Sequence, residues 1–239
     1  MVALRDKVSR NADFENYRDY MHVGKERFDY TPEDCLAFGE SVKQYIVPAM
    51  RKINEHRRQK LGVDTLRPWD TSVDLDGADA FEPFTDAVGH VDVSAKLMSA
   101  VAEDFGEELR WMSSQGLLDL ETRPHKGPGG FMDNLEKRRV PVIFANSGTT
   151  HGDVETLVHE GGHALNGLFC RDLEPVAYRM PPLEFAEVAS MGLEALAMEH
   201  LEDVYPADEA QRARRDSLEG MLSTFAWVAT IDGFQHWIY

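Results

Sequence analysis

Residues 153–165 read Asp-Val-Glu-Thr-Leu-Val-His-Glu-Gly-Gly-His-Ala-Leu, and within them His159, Glu160 and His163 form a His-Glu-x-x-His arrangement. Val154, Leu157, Val158, Leu165 and Leu168 recur at helical spacing, so the segment is expected to be a helix, with Asp153 as its N-cap. On a helix, residues four apart lie about 40° apart in projection, so His159 and His163 point the same way and can hold one metal ion together. Glu160 sits one step round, where a carboxylate can reach a water at the metal without ligating it. Zinc accepts imidazole nitrogen and carboxylate oxygen, and a hydrolytic site uses three protein ligands with water in the fourth position. The metal lowers the pKa of that water to about 7, and a glutamate beside it can take its proton. Gly161 and Gly162 each weaken the helix by about 1 kcal/mol relative to alanine. A helix with only a structural role has little reason to accept that cost, whereas close approach of another segment to the metal would explain it.

The segments around this helix are less regular. Val140-Pro141-Val142-Ile143-Phe144-Ala145 is the strongest strand pattern in the chain, and its proline suggests an edge strand. An edge strand before the metal helix could pair with an extended peptide along Ile143, Phe144 and Ala145. The glycine-rich run at 125–130 lacks phosphate-loop spacing and is expected to be a tight turn into a strand. After the metal helix, Pro181-Pro182 precedes a segment expected to be helical from Leu183 to about Asp203. Glu184, Glu187, Glu194 and Glu199 in it are all candidates for a third ligand, and spacing favours none of them. Glu187 and Glu194 are seven apart, so one could ligate while the other buttresses a histidine.

Upstream, Thr31-Pro32-Glu33-Asp34 is a capping box with proline at the first helical position. It should open a helix running to about Leu61, ended by Gly62 and kinked at Pro48. Residues 3–28 suggest one or two short helices with a buried aromatic face. Helix is expected again from about Thr85 to Gln115, with a break near Phe105-Gly106, and from Ala207 onward.

At 239 residues the chain can bury a core as one large domain or two small ones. Its 25 basic and 42 acidic residues give 25 − 42 = −17, which argues against nucleic acid or an anionic membrane as partner and permits cationic peptides. No apolar run approaches the roughly 18 residues of a membrane span, and the N-terminus has no signal-type apolar region. Cys35 and Cys170 supply no disulfide framework, so the expected compartment is the reducing cytoplasm.

DVETLVHEGGH at 153–163, followed by FAEVASMGLE at 185–194, resembles the oligoendopeptidase F branch of the thimet oligopeptidase family. RFDYTPEDC at 27–35, LRPWD at 66–70, DLETRPHKGPGGF at 119–131 and PVIFANSGTT at 141–150 extend the likeness over almost the whole chain. The resemblance implies a mainly α, zincin-like helical metallopeptidase core with a small edge sheet or hairpin beside the His-Glu-x-x-His helix. It implies one zinc ion held by His159, His163 and Glu187, Glu160 as general base, Glu194 in support, and the strand at 140–145 lining the substrate channel. Short peptides are the implied substrates.

Two departures accompany the likeness. Asn166 stands where many members carry another histidine. Members are also longer, so residues 1–239 are expected to be a partial catalytic domain, an expectation that the aromatic helix at 225–239 supports. The absent C-terminal segment carries a histidine and tyrosines that stabilise the tetrahedral intermediate, and loss of one such donor costs about 10²–10³ in rate. The competing expectations are a catalytically incomplete zinc-binding fragment and a metallocarboxypeptidase.

Overall fold

The computed structural model describes residues 1–239. In chain order its helices are α1 (Val2–Asn11), α2 (Tyr17–Gly24), α3 (Pro32–Leu61), α4 (Ala87–Val101), α5 (Glu103–Ser114), α6 (His151–Cys170), α7 (Val188–Ala197) and α8 (Ala207–Ile238). The strands are β1 (Leu118–Glu121), β2 (Gly130–Leu135) and β3 (Val140–Ser147). The chain is therefore mainly α with one small sheet, and it divides into two compact units.

One unit comprises Met1–Asp79 and Arg215–Tyr239. Here α3 begins and ends as its sequence dictates. Thr31 and Asp34 form the capping box, Pro32 opens the helix, and Gly62 closes it at φ 66°, a conformation that costs glycine nothing. Of the apolar positions along α3 only Val42 is buried, while Phe38 and Tyr45 are exposed. Helical spacing identifies residues that share a face; it does not say whether anything covers that face. The buried Arg57 guanidinium is satisfied by Val73 O at 2.7 Å and Glu219 at 3.0 Å, as a buried charge must be.

The other unit, Ala80–Arg214, holds the hydrophobic core. Its centre is Leu97 and Met98 of α4, Leu109 and Met112 of α5, Ile143 of β3, Val154 and Leu157 of α6, and Leu193 of α7. The expected helix over 85–115 is two helices, and the chain turns at Ala102 (φ −155°, ψ 134°) rather than at Phe105-Gly106. Gly106 serves a different purpose. A Cβ there would lie 2.0 Å from Ser99 Oγ and 2.2 Å from Ala95 O, so glycine lets α5 fold back tightly on α4. The cap of α6 also differs from expectation. Thr150 is the N-cap, and Asp153 is the third residue of its capping box, accepting from Thr150 N at 2.9 Å.

The sheet order is β1-β3-β2, so the strand bearing Pro141 is central, not an edge. The register explains how proline is tolerated there. Asn146 N–H donates to Gly129 O at 2.9 Å, which makes Phe131–Phe144 and Asp133–Val142 the hydrogen-bonded pairs of the antiparallel β2–β3 ladder. Pro141 faces Asn134 in a non-hydrogen-bonded pair, so it owes β2 no N–H. On its other side, the parallel pairing with β1 starts at Leu118–Ile143, beyond Pro141. No ladder bond is lost. With both neighbours in place β3 cannot accept a peptide by strand addition, and Ile143 and Ala145 are buried against the α6 side. The open edge belongs to β2.

Candidate metal centre

Helix α6 presents His159 and His163 on one face, with ring centroids 4.9 Å apart. The third donor comes from α7, and the glycines of the motif admit it. A Cβ on Gly162 would lie 2.6 Å from both Ala189 O and Ser190 Cα, so only glycine allows α7 this close. Gly161 faces the Met98 thioether in the same way, at 3.1 Å. At this crossing Glu187 is the N-cap residue of α7, not a residue inside a continuous helix from Leu183 to Asp203. Its Oε2 lies 3.2 Å from His159 Nε2 and 3.1 Å from His163 Nε2.

These three ligand atoms all lie within 4.8 Å of one another. Donors bound to one tetrahedral zinc at about 2.0–2.1 Å stand roughly 3.3 Å apart, so the measured separations fit such an ion. Of the four carboxylates that spacing left open, Glu187 joins the histidines and Glu194 stands behind them. Glu184 and Glu199 lie outside the set.

The surroundings suit ligation. His159 Nδ1–H donates to Glu194 Oε1, which fixes the tautomer and leaves the Nε2 lone pair facing Glu187. That carboxylate hydrogen bond raises the His159 pKa against the opposing effect of burial. Glu160 is 6% exposed. Burial pushes its carboxyl above the ordinary value, while the two histidines and the Met132 N–H pull it down. Ser190, fully buried, donates from Oγ toward Glu187 Oε2 at 2.8 Å. Sequence reading passed over both Ser190 and the Met132 main chain. The only signals were the serine midway between Glu187 and Glu194 and the glycine turn entering β2.

Strand β2 lies along α6 beside this cluster. Gly130 passes so near Thr156 that a Cβ would meet its Cγ2 at 2.9 Å, and Gly167 of α6 leaves room for the Asn134 side chain. Between them Met132 directs its N–H to the Glu160 carboxylate.

A second trio, Cys35, Asp232 and His236, also has ligand atoms within 4.8 Å of one another. There, however, Arg18 Nη1 stands 3.4 Å from His236 Nδ1, a fixed positive charge that disfavours a cation.

The sequence pattern of Peptidase family M3 matches residues 1–239. The chain belongs to that family. Oligoendopeptidase F, chromosomal, of Lactococcus lactis subsp. cremoris is 24% identical over 162 residues, 68% of this chain and 26% of that protein. Group B oligopeptidase PepB of Streptococcus agalactiae serotype III (strain NEM316) is 22% identical over 212 residues, 88% of this chain and 35% of that protein. Among solved structures, PZ peptidase A with inhibitor 2 superposes with a TM-score of 0.91 at 28% identity, over 100% of this chain and 42% of that one. This M3 chain thus spans about a quarter to a third of the length of these curated relatives. No helix in it is long and apolar enough to cross a membrane.

Proposed function

We propose that this M3 chain is the zinc-binding core of an endopeptidase that hydrolyses short peptides. The observation that carries the reading is the convergence of His159, His163 and Glu187 beside the buried Glu160. His159, His163 and Glu187 would hold one zinc ion. When bound, that ion supplies Lewis acidity, lowering the pKa of a water and polarising a carbonyl.

The chain's own residues account for the rest. Glu194 holds the His159 ring in its ligating tautomer. Glu160, kept from bulk water and raised in basicity by burial, accepts the proton of the attacking water and returns it to the leaving amine. The peptide lies along the open edge of β2. There Gly130, Met132 and Asn134 turn their main-chain N–H and C=O groups away from β3, the arrangement strand addition requires. This edge takes the place that the sequence pattern assigned to Ile143, Phe144 and Ala145. Two free cysteines are compatible with a reducing, cytoplasmic setting.

The test is Glu160→Gln. Elemental analysis should show zinc per chain unchanged, while cleavage of a quenched peptide falls by at least about 10²-fold. Retained cleavage would sink the assignment of Glu160 as base. Blocking the peptide's C-terminus should leave cleavage intact, as an endopeptidase requires and a carboxypeptidase forbids.

A further inference from the structure

Only one face of the sheet is covered. Gly130, Met132 and Asn134 of β2, with Pro141, Ile143 and Ala145 of β3, face α6. Their neighbours Phe131, Asp133 and Leu135 face the other way and are exposed. Phe131 is 53% exposed, although its ring stacks on Phe144 at 5.1 Å and 20°. Phe144 in turn has Lys126 Nζ 4.7 Å from its ring centre, so the aromatic pair is fixed from behind and open only on the Phe131 side. Asp133 meets the Asn134 N–H at 2.8 Å and no basic side chain. The open face beside the free edge is therefore a short pattern of aromatic, then acid, then aliphatic.

A peptide added to this edge alternates its side chains between the two faces of the extended sheet. Those directed at α6 meet the metal cluster. Those on the open face stand opposite β2 residues at cross-strand distance, about 4.5–5.5 Å between Cβ atoms. Resting on the peptidase reading above, we propose that Phe131 and Asp133 select the substrate. They favour an extended peptide with a large apolar side chain opposite Phe131 and a basic side chain opposite Asp133, two residues apart. The two preferences have separate physical sources. Apolar area is buried on the Phe131–Phe144 stack, and a lysine or arginine pairs with an acid that has no cationic partner of its own. Cross-strand pairs of these kinds are each worth about threefold in selectivity.

The experiment uses the zinc-loaded chain and quenched peptides in which one residue is Phe, Leu or Gly and a residue two positions away is Lys, Ala or Glu, in both orders. Binding of the same peptides, labelled, is measured by fluorescence anisotropy on the Glu160→Gln variant, so that selection is read independently of turnover. One order should show Phe or Leu over Gly and Lys over Glu, each by about threefold or more. Asp133→Lys should invert the choice to Glu over Lys and keep the apolar choice. Phe131→Ser should abolish the apolar choice and keep the basic one. Cleavage or binding without pairwise selection, or selection that Asp133→Lys leaves unchanged, overturns the inference and leaves the peptidase reading standing. Peptide binding with the predicted selection but no cleavage by the unsubstituted chain supports the inference and counts against this chain's activity. Absence of both cleavage and binding overturns both readings.

Discussion

Ser190 shows how much of a metal centre can rest on a residue that ligates nothing. Glu187 is 56% exposed in its side chain, and an exposed carboxylate otherwise samples several rotamers. The buried Ser190 hydroxyl, anchored by the packing of α7 on α6, holds the same Oε2 that faces both histidines. Ser190→Ala should leave the helical content unchanged and weaken zinc binding by about 10–100-fold, read by competition with a chromophoric chelator. An unchanged affinity would show that packing alone fixes Glu187. The serine was visible midway through Glu187–Glu194, but its role depends on Glu187 lying at the N-cap of α7, and no periodicity reveals that boundary.

At the scale of elements, the site is a crossing of two helices and a strand, and glycine sets the distances. Gly162→Ala would put a methyl against the main chain of Ala189 and Ser190, and the expected cost is about 1–3 kcal/mol. Gly192→Ala is the control. Nothing lies within 4 Å of its Cβ, so helix propensity should dominate, with a gain of up to about 1 kcal/mol. Thermal denaturation of the two variants should therefore shift the melting temperature in opposite directions, and only Gly162→Ala should also weaken zinc binding, because it pushes Glu187 away. The paired glycines announced that something approaches α6 closely. That the visitor is α7 on one side and Met98 on the other is a property of the packed unit. The same holds for β3. Its pattern identified a strand correctly, but position within a sheet depends on neighbours that are remote in sequence, β1 on one side and β2 on the other.

For the molecule as a whole, His90 links the start of α6 to the core of the second unit. It is fully buried and stacked on Phe84 at 4.2 Å, and its Nε2–H donates to Asp153 O at 2.9 Å. Burial lowers its pKa below the usual 6.5, outweighing the Asp153 hydrogen bond and charge that raise it. The unfolded chain therefore takes up this proton at a higher pH than the folded one. The stability His90 contributes is whole above about pH 6.5 and is lost progressively as pH falls below it, by at most about 1.4 kcal/mol per pH unit. The gap in urea midpoint between the unsubstituted chain and His90→Gln should narrow from about pH 7.5 to about pH 5. A constant gap would show that His90 stays neutral over that range in both states.

The sequence by itself determined what local chemistry and periodicity can carry. These are the capping box and glycine stop of α3, the helix bearing His159, Glu160 and His163, the turn into β2, and the membership in a peptidase family written in those motifs. Tertiary structure alone decided which carboxylate reaches the histidines and which strand keeps a free edge, and it brought Ser190 and the Met132 N–H to the site. Each of those is a distance between groups on different elements. Such distances follow from how α6, α7 and the sheet exclude water together, and no single stretch of chain contains them.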